Sequence, residues 1–201
     1  ERLARALAAR EAIDVVYTSD LLRAWETARP VAEATGAPLH TDEGLRERGF
    51  GSFQGKTFTE IEAAMPDEAR RWRQRDPFWA PPGGESLTAM RRRVIETLHA
   101  LASRHVGEQI VMVAHGGVMD VLYRAATGQE LQAPRTWLLG NTAINRLLWS
   151  PEGLSLVGWS DTSHLDDETL GKSIDAGDAD AVETAGDLVR RAFLAELPAS
   201  V

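Results

Sequence analysis

One stretch constrains the fold of this chain more than any other. Residues 110–114 form an unbroken apolar run rich in β-branched side chains, followed at once by His115, Gly116 and Gly117. A run without polar alternation is the pattern of a strand buried on both faces, and such strands belong to parallel sheets covered by helices. Beyond the glycines the period becomes helical: Val118, Val121, Leu122 and Ala125 share a face, and Gly128 suits a C-cap. His115 therefore stands where strand gives way to helix. Open α/β sheets bind ligands outside the carboxyl ends of their strands, and a helix start offers unpaired N–H groups to an anion. Two residues without a Cβ let backbone come close to a ligand. An isolated histidine at a strand end more often just satisfies backbone. The Gly-Gly context instead favours an imidazole beside a phosphate-sized anion site.

A chain of 201 residues suffices for one well-buried domain, or one domain with an appendage. It contains no cysteine, which excludes disulfides, thiolate metal sites and a thiol nucleophile. No apolar stretch reaches the length of a membrane span and nothing resembles a signal peptide, so the expected location is cytoplasmic, with no membrane partner. The net charge of −8 is uneven: residues 161–201 hold ten acidic side chains against Lys172, Arg190 and Arg191. The nearly neutral body offers no basic face for nucleic acid, although a local arginine cluster can still attract a small anion.

Residues 1–10, with Leu3 and Leu7 four apart among strong helix formers, predict a helix entered partway along its length. Residues 13–17 predict a strand, and Ser19 or Asp20 the N-cap of a helix with Leu22, Trp25, Ala28 and Ala32 on one face. Pro30 is expected to kink that helix or end its regular part. Arg23 falls in its first turn, where the dipole favours acids. It reads equally well as a solvated charge or as a guanidinium fork leaning over the strand end onto a phosphate. A short strand is expected at 38–41. Residues 44–55, with four glycines among charges and aromatics, suggest an ordered loop. Within it Glu47 lies between Arg46 and Arg48, which hold it ionised unless burial desolvates it, and that competition can give a carboxyl a useful pKa. Taken alone, such a triplet is more simply a solvated cluster.

Thr57 and Glu60 form a capping box for a helix over 61–65, and Pro66 starts another piece. A Pro/Gly-rich connector over 76–84 leads to Ser86, the cap of a long helix burying Leu87, Met90, Val94, Leu98 and Leu101. Arg91, Arg92 and Arg93 fall on its reverse face and need no ligand to explain them. Residues 141–149 and 154–159 flank a hairpin turn. From Asp180 onward Val182, Val189, Phe193 and Leu197 mark an amphipathic C-terminal helix. This alternation predicts an α/β fold in three layers, a mostly parallel central sheet with helices on both faces. The expected division is a domain over 1–160 and an acidic tail over 161–201.

Four motifs join these readings: Ser19-Asp20 with Arg23-Ala24 and Thr27-Ala28; Leu45-Arg46-Glu47-Arg48 with Gly51 and Gly55; Gly84-Glu85-Ser86; and Ala114-His115-Gly116-Gly117. In their order and spacing they resemble the histidine phosphatase superfamily, which includes the phosphoglycerate mutases. The resemblance implies a phosphoglycerate mutase-like fold and a phosphate monoester hydrolase that works through a phosphohistidine. It implies that Arg23 clamps the phosphate, that His115 with Gly116 binds the transferring phosphoryl, and that Glu47 donates a proton to the leaving alcohol. It implies no metal and no cofactor, since cationic side chains and amides neutralise the equatorial oxygens. The family's nucleophile lies in an Arg-His-Gly triplet ending its first strand. No such triplet occurs in these residues: Arg104-His105 is followed by Val106 and precedes a strand, and His40, His99 and His164 lack the context. The expectation is an N-terminally incomplete sequence, inactive as written, whose sheet has an unfilled position at or near its centre.

The compact interval between Glu47 and His115 resembles the phosphatase branch, so hydrolysis of a small phosphorylated metabolite is favoured over mutase-type phosphoryl transfer. A non-catalytic relative that binds a phosphorylated ligand or a protein partner is the alternative from another class. Phe50, Phe53, Phe78 and Trp79 can wall a leaving-group pocket or equally pack a core or lid. The acidic tail can fold over the site as a lid, pack on the second subunit of a homodimer, or stay partly disordered up to Asp180.

Overall fold

A computed structural model describes residues 1–166 and 199–200. The expected C-terminal amphipathic helix, and with it the tail as lid or subunit contact, lies outside the described residues. Helix α1 (Arg2–Arg10) leads to strand β1 (Val15–Thr18), α2 (Leu22–Thr35) and β2 (Leu39–Thr41). Then come α3 (Phe58–Ala64), α4 (Pro66–Arg73), α5 (Leu87–Ala102), β3 (Ile110–Val113) and α6 (Gly116–Thr127). The hairpin β4 (Ile144–Ser150) and β5 (Gly153–Asp161) and a two-residue strand β6 (Ala199–Ser200) complete the order.

The sheet runs β2-β1-β3-β6-β4-β5. β1 pairs in parallel with both β2 and β3, and β6 pairs parallel with β4 and antiparallel with β3. Where an unfilled position at or near the centre is expected, the sheet has the two-residue β6 between β3 and β4. The sorting of side chains follows the period of two. Val16, Val111 and Val113 face α1 and α2, meeting Leu3, Leu7, Ala28 and Val31. Val15, Tyr17 and Met112 face α5 and α6, meeting Met90, Val94, Leu98 and Val121. A third cluster, Phe50, Phe53, Phe58 and Ile61 with Trp72 and Trp79 packed on it, anchors the 44–55 loop beneath α3 and α4.

Several local expectations hold. Thr57 and Glu60 form the reciprocal capping box, Ser86 Oγ accepts from Ala89 N at 3.1 Å, and Gly36 and Gly128 close α2 and α6 at φ 73° and 68°. Pro30 does not end α2, which continues through it to Thr35. The helix tolerates the lost N–H because Ala28, Val31 and Ala32, on either side of the proline, are fixed against the core.

On α6, one turn beyond the glycines, Asp120 is 4% exposed and accepts from three guanidiniums: Arg75 at 3.0 Å, Arg124 at 2.9 Å and Arg135 at 3.2 Å. Arg75 also donates to the Leu131 carbonyl at 3.0 Å, and Arg124 to that of Glu130. Arg124 is fully buried, its guanidinium 4.7 Å from the Trp137 ring centroid. This network ties the end of α4 and the 130–135 segment to the helix that starts at the candidate site.

Candidate active site

The parallel register sets Thr18 beside Val113. The residues that follow, Ser19 and His115, therefore emerge at the same end of the sheet. Ser19 N donates to the Val113 carbonyl at 3.4 Å, and Ser19 Oγ lies 2.7 Å from His115 Nε2. Both side chains are buried. Arg23, in the first turn of α2, reaches back so that Nη2 lies 3.3 Å from His115 Nδ1. The expected N-cap is absent, since residue Leu21 holds that position without a side-chain bond. Ser19 is turned to His115 instead, and Asp20 accepts both Nε (2.6 Å) and Nη2 of Arg46.

His115 is the N-cap residue of α6, with extended backbone and its carbonyl accepting from Met119 N at 2.9 Å. Burial first, then Arg23 and Arg93, push its pKa down to about 3, against a weaker upward pull from Asp20. The imidazole is therefore neutral at physiological pH. In phosphate-free protein the His115 ring signals are expected to show no NMR titration between pH 5 and 8; a midpoint in that range contradicts the assigned environment.

Glu47 arrives from the other side. The chain leaving β2 is laid across the end of β1 by a bond from Asp42 N to the Thr18 carbonyl at 2.8 Å. Arg93 Nη1 then holds the Gly44 and Arg46 carbonyls at 2.8 and 2.9 Å, while its Nε and Nη2 grip Glu85 at 2.9 and 2.7 Å. So fixed, Glu47 accepts from Gly117 N at 3.0 Å and from Arg48 N at 2.7 Å. The two glycines consequently have different uses. A Cβ on Gly117 would lie 2.2 Å from Glu47 Oε1, whereas a Cβ on Gly116 would meet nothing within 4 Å. The helix start is thus shared: the Gly117 amide carries the protein's own carboxylate, and Gly116 faces open space, its amide among those a helix start leaves without an intrahelical acceptor. Desolvation raises the Glu47 pKa, outweighing the two backbone donors and the nearby Arg23 and Arg93 that lower it. Burial prevails, as one side of the expected competition, but the leading charges against it are Arg23 and Arg93 and not the flanking Arg46 and Arg48; Arg46 is engaged with Asp20.

Arg23, His115, Gly116 and Glu47 are thereby brought around the first turn of α6. Arg93 is a correction to its expected place on a solvated helix face: it points inward onto Glu85 and the 44–46 backbone. Its position three residues after buried Met90 is the helical spacing that carries this signal. The sequence offers Ser19 as a cap and as part of the Ser19-Asp20 motif, but not as a partner of His115. Of the aromatics considered for a pocket wall, Phe50 and Phe53 are buried and Trp79 packs against them. Phe78 is 81% exposed and lines a cavity of about 720 Å³ whose wall includes Arg46, Glu47, Glu85 and Arg93. That cavity shares Glu47 with the site but is not lined by Arg23 or His115. Arg48 lies over Trp72, its guanidinium 4.4 Å from the ring centroid. Burial and repulsion from Arg75 bring its pKa down to about 10. Among the described residues, no group of three His, Asp or Glu side chains is placed to hold a metal ion, and no helix is long and apolar enough to cross a membrane.

Residues 1–162 match the histidine phosphatase superfamily (branch 1), and the chain is a member of it. Phosphoglycerate mutase-like protein 4 of Arabidopsis thaliana is 34% identical over 89% of this chain and 77% of its own length. The metal-independent phosphoserine phosphatase of the same plant is 32% identical over 81% of this chain and 68% of its own length. Among solved structures, Bacillus stearothermophilus YhfR superposes with a TM-score of 0.74 at 30% identity, covering 82% of each chain.

Proposed function

We propose that this protein hydrolyses the phosphate monoester of a small phosphorylated metabolite through a phosphohistidine, without a metal. Arg23, His115 and the Gly116 amide hold the phosphoryl group, and Glu47 manages the proton. The observation that carries the reading is the contact of a guanidinium and a neutral imidazole beside an unobstructed helix start, with a carboxyl of raised pKa seated on the next amide. In the first step an imidazole nitrogen attacks phosphorus, the P–O bond to the alcohol breaks, and protonated Glu47 gives its proton to the departing oxygen. In the second, water attacks the phosphohistidine and the Glu47 carboxylate takes a proton from it. The attacking imidazole is that of the Arg-His-Gly triplet the family resemblance calls for, which these 201 residues do not contain. His115 serves the phosphoryl oxygens. The named function of the phosphoserine phosphatase relative supports hydrolysis and metal independence.

The test separates holding from turnover. The 201-residue chain is expected to bind orthophosphate without releasing it from esters. Arg23→Ala is expected to weaken that binding about 10- to 100-fold by calorimetry, the loss of charge-assisted bonds worth ~1.5–3 kcal/mol. Unchanged affinity removes Arg23 from the site. Supplying a chain that carries an Arg-His-Gly triplet with phosphomonoesters and measuring inorganic phosphate against isomerised product decides between hydrolysis and mutase-type transfer.

A further inference from the structure

His115 makes one polar contact at each ring nitrogen, and the two are not equivalent. Arginine offers N–H donors and no acceptor, so the 3.3 Å contact of Arg23 Nη2 with Nδ1 favours a lone pair on Nδ1, although at that length it is too weak to hold the tautomer without a second contact. In a neutral imidazole the proton then sits on Nε2, and Ser19 Oγ, 2.7 Å away, is placed to accept it. Ser19 is itself held in place. It is 0% exposed, and its backbone N–H is bonded to the neighbouring strand at Val113. Its buried hydroxyl thus meets the ring at Nε2 while Arg23 meets it at Nδ1.

Resting on the reading of the site given above, we propose that Ser19 is the positioning residue of His115: by accepting the Nε2–H it fixes the tautomer and ring angle that turn Nδ1 toward Arg23 and the phosphoryl oxygens. The role is local to the ring, since Ser19 leaves α2 uncapped to fill it. When a phosphate oxygen docks beside Nδ1, hydrogen bonding to it needs a proton there. That proton passes to Nδ1 from the monoprotonated phosphate or from solvent, while Ser19 retains the Nε2–H, so the imidazolium donates once to protein and once to ligand. A ring without Ser19 can place its single proton on either nitrogen and loses this division of labour.

The tautomer is read directly by two-bond ¹H–¹⁵N correlation on the 201-residue chain with labelled histidine and no phosphate. The expected result is an Nε2–H ring for His115. Ser19→Ala is expected to give a mixture of tautomers and about ten-fold weaker orthophosphate binding, about one charge-assisted hydrogen bond, and Ser19→Thr to restore both. An Nδ1–H ring in the unaltered chain overturns the proposal, and so does a Ser19→Ala protein that keeps a single Nε2–H tautomer. Because the ring is read without ligand, the outcome stands apart from the functional reading. An Nε2–H ring that becomes mixed in Ser19→Ala, in a chain that binds no orthophosphate, sustains Ser19's role and removes the phosphate site.

Discussion

Asp120→Ala is expected to lower the unfolding free energy by about 3–5 kcal/mol, the range for removing one partner of a buried charge network. The carboxylate accepts from Arg75, Arg124 and Arg135, and all that the substitution leaves behind is like charge. Arg124 cannot escape to water, being 0% exposed at its side chain. Asp120→Asn keeps the shape and removes the charge, so it separates electrostatics from packing and is expected to recover only part of the loss. Urea unfolding of the three proteins measures this. The pH dependence has a defined sign. The guanidiniums hold the Asp120 pKa below its ordinary 3.8 in the folded protein, against the opposing effect of burial. Its contribution is fully present above that value and is lost as pH falls through the folded-state pKa. Asp120→Ala should therefore flatten the acid limb of the stability curve. An unaltered limb, or a loss under ~1 kcal/mol, contradicts the network as the fastener of α4 and the 130–135 segment to α6.

Glu47→Gln in a chain that carries the Arg-His-Gly triplet is expected to reduce kcat by about 10²- to 10⁴-fold, the usual worth of a positioned proton donor. The amide still offers an oxygen to the Gly117 N–H but turns its NH2 toward the Arg48 N–H from which the second carboxyl oxygen accepts, so the leaving-group dependence, and not the size of the loss, reports the proton. The deficit should depend on the leaving group, large for alkyl phosphates and small for an aryl phosphate whose phenolate departs unprotonated. The pH profile follows from the raised pKa. The first step needs the protonated carboxyl, so kcat/KM falls as pH rises through that pKa, and Glu47→Gln abolishes this limb. Equal losses for alkyl and aryl esters would mean that Glu47 shapes the site without donating the proton.

Much of this arrangement is legible in the letters, for a physical reason. A double-buried strand, a histidine, two glycines and a 3.6-residue period form a local signal, and the capping residues Thr57, Ser86, Gly36 and Gly128 mark boundaries by chemistry confined to one turn. What escapes is set by pairing across the sheet. Ser19 has the composition of a helix cap, yet the β1–β3 register gives its hydroxyl a partner 96 positions away. Arg93 sits in a run of three arginines that suggests solvent, and only the path of the 44–46 backbone reveals its acceptors. Pro30 shows the same limit from the other side, since a local penalty yields to the packing of its neighbours. The two-residue β6 has no local pattern to betray it.

The seat of Glu47 on the Gly117 amide also limits how this sequence can drift. With barely 2.2 Å between a would-be methyl group at 117 and the carboxyl oxygen of residue 47, the two positions, seventy residues apart, constrain one another sterically. Alanine at 117 is expected to displace the Glu47 carboxyl and to press on Met90 Cε at 2.9 Å, and a shorter aspartate at 47 would relieve the first of these contacts only.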